Sequence, residues 1–192
     1  TIIILNGSFN PATKGHILLA EKAQEILKAE KILFSPANDK YSHKKLASAQ
    51  HRKEILNLSI KSSQFAYLMS VDDYEISSSR NLFSYEVFQH FKEIYQDKKL
   101  YLVCGADFLH GMTNPGYWPE LNVRRLFQSV SLIVFKREKG NGGVTFDQLK
   151  IDIEQTFLRE YADKITLVEE EIGEMSSSGF KQGRTDFLCD SV

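Results

Sequence analysis

The run Gly7-Ser8-Phe9-Asn10-Pro11-Ala12-Thr13-Lys14-Gly15-His16 constrains this chain more than any other stretch. It follows a short apolar segment, Ile2-Ile3-Ile4-Leu5, and precedes residues with helical spacing, so it reads as strand, tight turn and helix. Open α/β folds gather phosphates at such a helix start, because its first N–H groups have no partner within the helix. Gly7 permits a close backbone approach or a positive φ. Pro11 fixes the turn and removes a donor. Thr13 and His16 share one face of the first helical turn, so two polar side chains and the backbone N–H groups converge. The spacing is not that of the three-glycine dinucleotide fingerprint, and no Gly-Lys-Ser/Thr follows as in the Walker loop.

The remaining chain extends the same alternation. Residues 1–6 form the first predicted strand, and Thr13 to about Ala29 a helix with Leu19, Ala23, Ile26 and Leu27 on its apolar stripe. Lys31–Pro36 is a second strand, which completes a parallel βαβ unit. Ser48 is placed to cap a helix running to about Lys61 that buries Ile55 and Leu58. Further strands are expected over Phe65–Val71, Leu100–Cys104, Val130–Phe135 and Ile165–Val168. Helices are expected around Phe83, Val87, Phe91 and Ile94, and around Phe146, Leu149, Ile153 and Phe157. Asp72–Arg80, His110–Glu120 and Arg137–Gly143 read as loops, the last of them glycine-rich and mobile. The fold class implied is α/β: a Rossmann-like open, mainly parallel sheet of five to six strands with helices on both faces.

At 192 residues the chain suits a single domain spanning 1–192. A net charge of -1 argues against a nucleic-acid partner. Basic residues cluster at His43-Lys44-Lys45 and His51-Arg52-Lys53, in the pattern of a solvated face or a phosphate-binding loop. Two cysteines without metal-ligand spacing, one of them Cys104 in an apolar run, indicate free thiols and a reducing compartment. No run reaches membrane-spanning length and no signal peptide is visible, which points to an intracellular, cytoplasmic location with the nucleus left open. Asp107, just after Cys104-Gly105-Ala106, either accepts hydrogen bonds from ribose hydroxyls or caps the next helix. Trp118, the only tryptophan, lies in a Pro/Gly loop and reads as core or as a stacking platform. Ser176-Ser177-Ser178, with Lys181 and Arg184, offers hydroxyls, N–H groups and charge to an anion.

The ten residues Gly7–His16 resemble the signature of the nucleotidylyltransferase superfamily, G-x-F-x-P-x-(H/T)-x-G-H, with Thr13 in the His/Thr slot. Ser35-Pro36-Ala37-Asn38-Asp39-Lys40-Tyr41, then Lys44-Lys45-Leu46 and His51-Arg52, is similar to a segment of one branch, the nicotinamide or nicotinate mononucleotide adenylyltransferases. Gly105-Ala106-Asp107 with Trp118 downstream is similar to another segment of that branch, and the serine run to its Ser-Ser-Thr-x-Ile-Arg motif. Two departures stand out. Lys181 occupies the slot of that motif's arginine, with Arg184 one turn on. His43 occupies a phosphate-contacting lysine slot, with Lys44 beside it.

The resemblance implies attack by a mononucleotide phosphate on the α-phosphorus of ATP, giving a dinucleotide and pyrophosphate. It implies catalytic roles for His16, Thr13 and Lys44. Gly7, Ser8, Phe9, Gly15, His16, Gly105, Asp107, Ser177, Ser178, Lys181 and Arg184 would bind ATP. The mononucleotide would be held by Ser8, Phe9, His43, Lys44, Tyr74 and Trp118. Mg²⁺ is expected through the ATP phosphates, with no dedicated protein metal site. The partners implied are the two small-molecule substrates, with no membrane partner and homo-oligomers open. Another branch, such as pantetheine-phosphate adenylyltransferase or a cytidylyltransferase, is a competing reading, and so is a non-catalytic nucleotide binder.

Overall fold

A computed structural model of the chain describes residues 1–40, 45–137 and 143–172. Along these residues run β1 (Ile2–Gly7), α1 (Lys14–Leu27), β2 (Lys31–Pro36), α2 (Ala49–Ile60), β3 (Met69–Val71) and α3 (Ser84–Ile94). They are followed by β4 (Leu100–Gly105), α4 (Ala106–Gly111), α5 (Glu120–Ser129), β5 (Ser131–Arg137), α6 (Phe146–Gln155) and β6 (Ile165–Ile172). The strands form an open, all-parallel sheet in the order β3-β2-β1-β4-β5-β6, the Rossmann-like α/β architecture expected from the alternation. The described residues form two compact units, one up to Leu82 and the other from Phe83 onward.

In the first unit, β1 runs beside β2 from Ile2↔Lys31 to Gly7↔Pro36, and β2 beside β3 from Ile32↔Met69 to Phe34↔Val71. Ile2, Ile3, Ile4 and Leu5 are all buried, as a parallel strand covered on both faces requires. α1 buries Ile17, Leu19, Ala20 and Ala23, while Ile26, expected on that stripe, is exposed. The stripe ends early because the helix does: Lys28 turns left-handed at φ 48°, and the buried Gln24 side chain bonds both Ala29 N and Ala29 O at 3.0 Å.

α2 begins at Ser48 as expected, with Ser48 Oγ accepting from His51 N. Its buried face is Arg52, Leu56, Ser59 and Ile60, not Ile55 and Leu58. Two polar residues hold the inward positions, so apolar spacing gave the wrong phase. Ser59 satisfies its hydroxyl on Ile55 O, and Arg52 satisfies its guanidinium on backbone carbonyls and Asp39. The third strand is shorter than expected. Ser63 Oγ accepts from Phe65 N and a 3-10 turn over Ala66–Leu68 follows, leaving only Met69–Val71 extended.

In the second unit, β4 pairs with β5 from Tyr101↔Ser131 to Gly105↔Phe135, and β5 with β6 with an irregularity between Phe135 and Lys136. α3 turns Val87, Phe88 and Phe91 inward and leaves Phe83 and Ile94 exposed. α5 was not anticipated from the apolar pattern. It buries Val123, Leu126 and Phe127, and Arg125 lies over the Tyr85 ring at 5.1 Å. α6 stops at Gln155, so Phe157 falls in the following 3-10 turn. Cys104 is a buried free thiol.

Candidate active site

β1 ends in a turn whose shape is set by Phe9 rather than by glycine. Phe9 takes φ 42°, and Gly7 does not adopt a positive φ. A methyl group on Gly7 would meet the Phe9 ring at 3.8 Å, an ordinary contact. A bulky residue in left-handed backbone carries strain. Burial of its ring offsets this: Phe9 is 2% exposed and meets Phe34 edge-on at 5.8 Å and His16 at 5.0 Å. The Asn10–Pro11 peptide is cis. Asn10 binds Lys45 O and accepts from Ala47 N, which ties the turn to the approach to α2.

Thr13 is the N-cap of α1, buried, in extended backbone. Its N–H donates to His16 Nδ1 at 3.0 Å, and its Oγ1 lies 2.8 Å from the same nitrogen. A backbone N–H can only donate, so Nδ1 is the acceptor and the neutral ring carries its proton on Nε2. This is the reciprocal half of a capping box, in which the third helical residue reaches back to the cap's N–H. Gly15 is buried within the same first turn. The structure therefore brings Gly7, Ser8, Phe9, Thr13, Gly15 and His16 together at one strand-to-helix turn, as the sequence implied.

Arg52 is the unanticipated member of this half. It is 0% exposed, and its guanidinium donates to Ala47 O, Ser8 O, Ala37 O and Asp39 Oδ1 at 2.6–3.0 Å. It pins the β1 turn to the segment after β2, so this member of the basic cluster is a structural fork rather than a solvated charge. Burial pushes the Asp39 carboxyl up, but the Ala49 N–H and Arg52 outweigh it and hold it below its ordinary value. Lys53 pairs with Asp73 at 2.6 Å.

After β3, Tyr74 is partly exposed and its N–H donates to Asp72 Oδ1. With Ser77, Ser78, Ser79, Arg80 and Leu82 it lines an open pocket of about 460 Å³. Beside it lies Glu75, 6% exposed, which accepts from Asn6 Nδ2 at 2.7 Å and lies 3.5 Å from Ser35 Oγ. Burial raises its carboxyl to about 7, against the opposing pull of Asn6, Ser35, Arg52 and the Asn38 N–H. Glu75 gave no signal in the sequence beyond its place in a serine-rich loop. Asn38 and Arg52 stood inside the quoted motif segments, but nothing in spacing showed that they face inward.

In the second unit, β4 ends at Gly105, which is itself the N-cap of α4 at φ -89° and ψ 166°. Asp107 lies one residue inside that helix and is exposed, so it is not the cap that one reading allowed. Trp118 is half-buried, between the two readings offered for it. Its backbone N–H donates to Asn114 O at 2.9 Å, and its ring meets Phe108 edge-on at 5.2 Å. His43, Lys44, Ser177, Ser178, Lys181 and Arg184 lie outside the described residues, as does most of the glycine-rich turn expected over 137–143. Among the described residues no three His, Cys, Asp or Glu side chains group as a metal site, and no helix is long and apolar enough to cross a membrane.

Known proteins resemble this chain in sequence and in fold. The chain is 31% identical over 150 residues to a nicotinamide/nicotinic acid mononucleotide adenylyltransferase of Arabidopsis thaliana, covering 71% of this chain and 62% of that protein's length. It is 30% identical to a probable nicotinate-nucleotide adenylyltransferase of Clostridium perfringens strain 13, covering 82% of this chain and 83% of the other. A probable enzyme of the same name from Clostridium botulinum is 30% identical over 93% of this chain and 83% of its own. The fold matches a Plasmodium falciparum nicotinic acid mononucleotide adenylyltransferase solved with NaAD, at TM-score 0.69 and 21% identity over 93% of this chain and 78% of that one. The family model described as Cytidylyltransferase-like matches residues 4–183, and the chain belongs to that family of nucleotidyltransferases.

Proposed function

We infer that this chain is an adenylyltransferase that joins ATP and a pyridine mononucleotide, nicotinate or nicotinamide mononucleotide, into a dinucleotide with release of pyrophosphate. The observation that carries the reading is the Thr13–His16 pair at the start of α1, in a chain similar along most of its length to enzymes of that name. In the reaction an oxygen of the mononucleotide phosphate bonds to the α-phosphorus of ATP. The bond from that phosphorus to the bridging oxygen of the β-phosphate breaks, and the electron pair leaves on pyrophosphate. The nucleophile is already ionised, so no protein base is needed, and positioning with charge stabilisation supplies the catalysis.

His16 serves this chemistry as a neutral donor. With Nδ1 held by Thr13, its Nε2–H is the donor offered to the α-phosphate as that group gains negative charge. The backbone of Gly7, Ser8, Phe9 and Gly15 frames the same phosphate. Lys44 or His43 holds the acceptor phosphate, and Ser177, Ser178 with Lys181 or Arg184 hold the β- and γ-phosphates. Gly105 and Asp107 serve the adenosine ribose. Trp118 and Tyr74 serve the pyridine ring. Mg²⁺ fits this donor set as an ion held by phosphate oxygens and water, where it would offset the charge of the leaving pyrophosphate.

The test is pyrophosphate release from ATP and Mg²⁺ with nicotinate mononucleotide, nicotinamide mononucleotide and phosphopantetheine in parallel. Release with either pyridine mononucleotide is expected, and the ratio of kcat/KM values names the preferred one. Release with phosphopantetheine alone moves the chain to the sister branch. ATP binding without release from any acceptor makes it a binder.

A further inference from the structure

The segment after β2 grips a loop that is distant in sequence. Asn38 is 4% exposed, and its Nδ2 faces the carbonyls of Ser78 at 2.6 Å, Glu75 at 3.2 Å and Ile76 at 3.4 Å. An amide has two N–H donors, so three acceptors share them. Asn38 Oδ1 accepts from Lys40 N at 2.8 Å, and Lys40 Nζ donates to the Ser79 carbonyl. The carbonyls of Glu75, Ile76, Ser78 and Ser79 are therefore all held by two side chains. From the opposite side the Glu75 carboxylate is received by Asn6 on β1 and Ser35 on β2, with the Arg52 charge on α2 nearby. The loop so fixed carries Tyr74 and the serine wall of the open pocket.

We propose that Asn38, Lys40 and Glu75 are positioning residues for the mononucleotide: they set the backbone of 74–80, and with it Tyr74 and the pocket wall, without touching the transferred phosphate. This rests on reading that pocket as the mononucleotide's. Three features support it. The hydrogen bonds converge on one loop. They come from β1, β2 and the segment after β2, which Arg52 also ties to the Gly7–His16 turn through Ala37 O and Ser8 O. Glu75 is a buried carboxyl kept at the cost of desolvation where an apolar residue would cost less. Its donors, Asn6, Ser35 and the Asn38 N–H, sit on β1, β2 and the segment after β2, so the carboxyl ties the loop to them.

The experiment compares the whole chain with Asn38→Ala and Glu75→Gln by amide exchange and by steady-state kinetics. In Asn38→Ala, exchange at Ser77 and Ser78, whose N–H groups bond Asp73 O and Glu75 O, is expected to quicken about tenfold while β1 amides keep their protection. KM for the mononucleotide is expected to rise about tenfold, with KM for ATP and kcat little changed. Glu75→Gln keeps the shape and should fold even where Asn38→Ala does not. It is expected to raise the same KM and also the melting temperature at about pH 8, because it removes a buried charge. A purely structural glutamate would show no such KM split. Unchanged exchange in the loop overturns the grip. Quickened exchange with equal effects on both substrates overturns the positioning role alone. If the unaltered chain releases no pyrophosphate with any acceptor, the reading of the pocket falls and the inference with it, while the exchange result still reports on the loop.

Discussion

Thr13 decides which nitrogen of His16 can act. Its N–H donates to Nδ1 and its hydroxyl lies 2.8 Å from the same atom, so the proton of the neutral ring sits on Nε2, the donor that the proposed reaction would use. Removing the ring deletes one donor aimed at developing charge. His16→Ala is therefore expected to lower kcat about a hundredfold or more with the fold intact, as read by steady-state kinetics and far-UV circular dichroism. A loss within about fivefold would take His16 out of the chemistry. Glu75 makes a second residue-scale prediction, now about stability. Its carboxyl stands at about 7 in the fold against an ordinary 4.5, with burial as the main cause. Between those values the folded chain holds a proton that the unfolded chain has lost. Glu75 thus supports stability fully below about pH 4.5, and that support is lost as pH rises through about 7. Urea midpoints at about pH 5 and 8 should fall for the unaltered chain and hold nearly level for Glu75→Gln. Equal falls in both would place the titration elsewhere.

Elements were legible where burial is governed by apolar side chains alone. β2 falls at Lys31–Pro36, as its apolar run implied, and β1 and β4 end at the glycines that open their turns. α2 shows where that logic stops. Its inward face contains Arg52 and Ser59, and a pattern of apolar residues cannot register an arginine that is buried because four acceptors surround it. β3 shows the same limit from another side: side-chain hydrogen bonding at Ser63 turns the chain, and the extended run starts only at Met69. Arg52 joins α2 to the β1 turn through Ser8 O and to the segment after β2 through Ala37 O and Asp39. Lysine in its place keeps the charge, but its three donors sit on one atom and cannot span the four acceptors that the guanidinium fork reaches. Arg52→Lys is expected to cost about 2–3 kcal/mol in urea unfolding, the scale of one or two buried acceptors left without donors. On the proposed function it should also lower kcat, since Ser8 lies in the turn assigned to the phosphate. Stability loss with unchanged kcat would separate the fork from the site.

Across the whole molecule, the motif segments located the turn that joins Thr13 to His16, which composition could not do. Net charge, cysteine count and length bounded the class, but none of them could place Asp107 one residue inside α4 or leave Trp118 half-buried. Those outcomes depend on where β4 stops and on Gly105 taking the cap, which a single sequence records only weakly. The inward roles of Asn38, Arg52 and Glu75 escaped for a related reason: their defining partners lie 13 to 69 positions away, Asp39 for Arg52 and Asn6 for Glu75 being the two extremes. Trp118 offers the clearest test of a role that burial leaves undecided. One edge of its ring contacts Phe108, so truncation costs packing as well as any stacking on substrate. A series separates the two. Trp118→Phe keeps an aromatic face and most of the packing, and Trp118→Ala removes both. Stacking on a flat ring is worth about 1–3 kcal/mol, so KM for the mononucleotide should rise roughly tenfold or more in Trp118→Ala and by an intermediate amount in Trp118→Phe. KM for ATP should stay nearly constant across the series. Parallel rises in both constants, tracking the loss in urea midpoint, would instead make Trp118 a packing residue for Phe108 and α4.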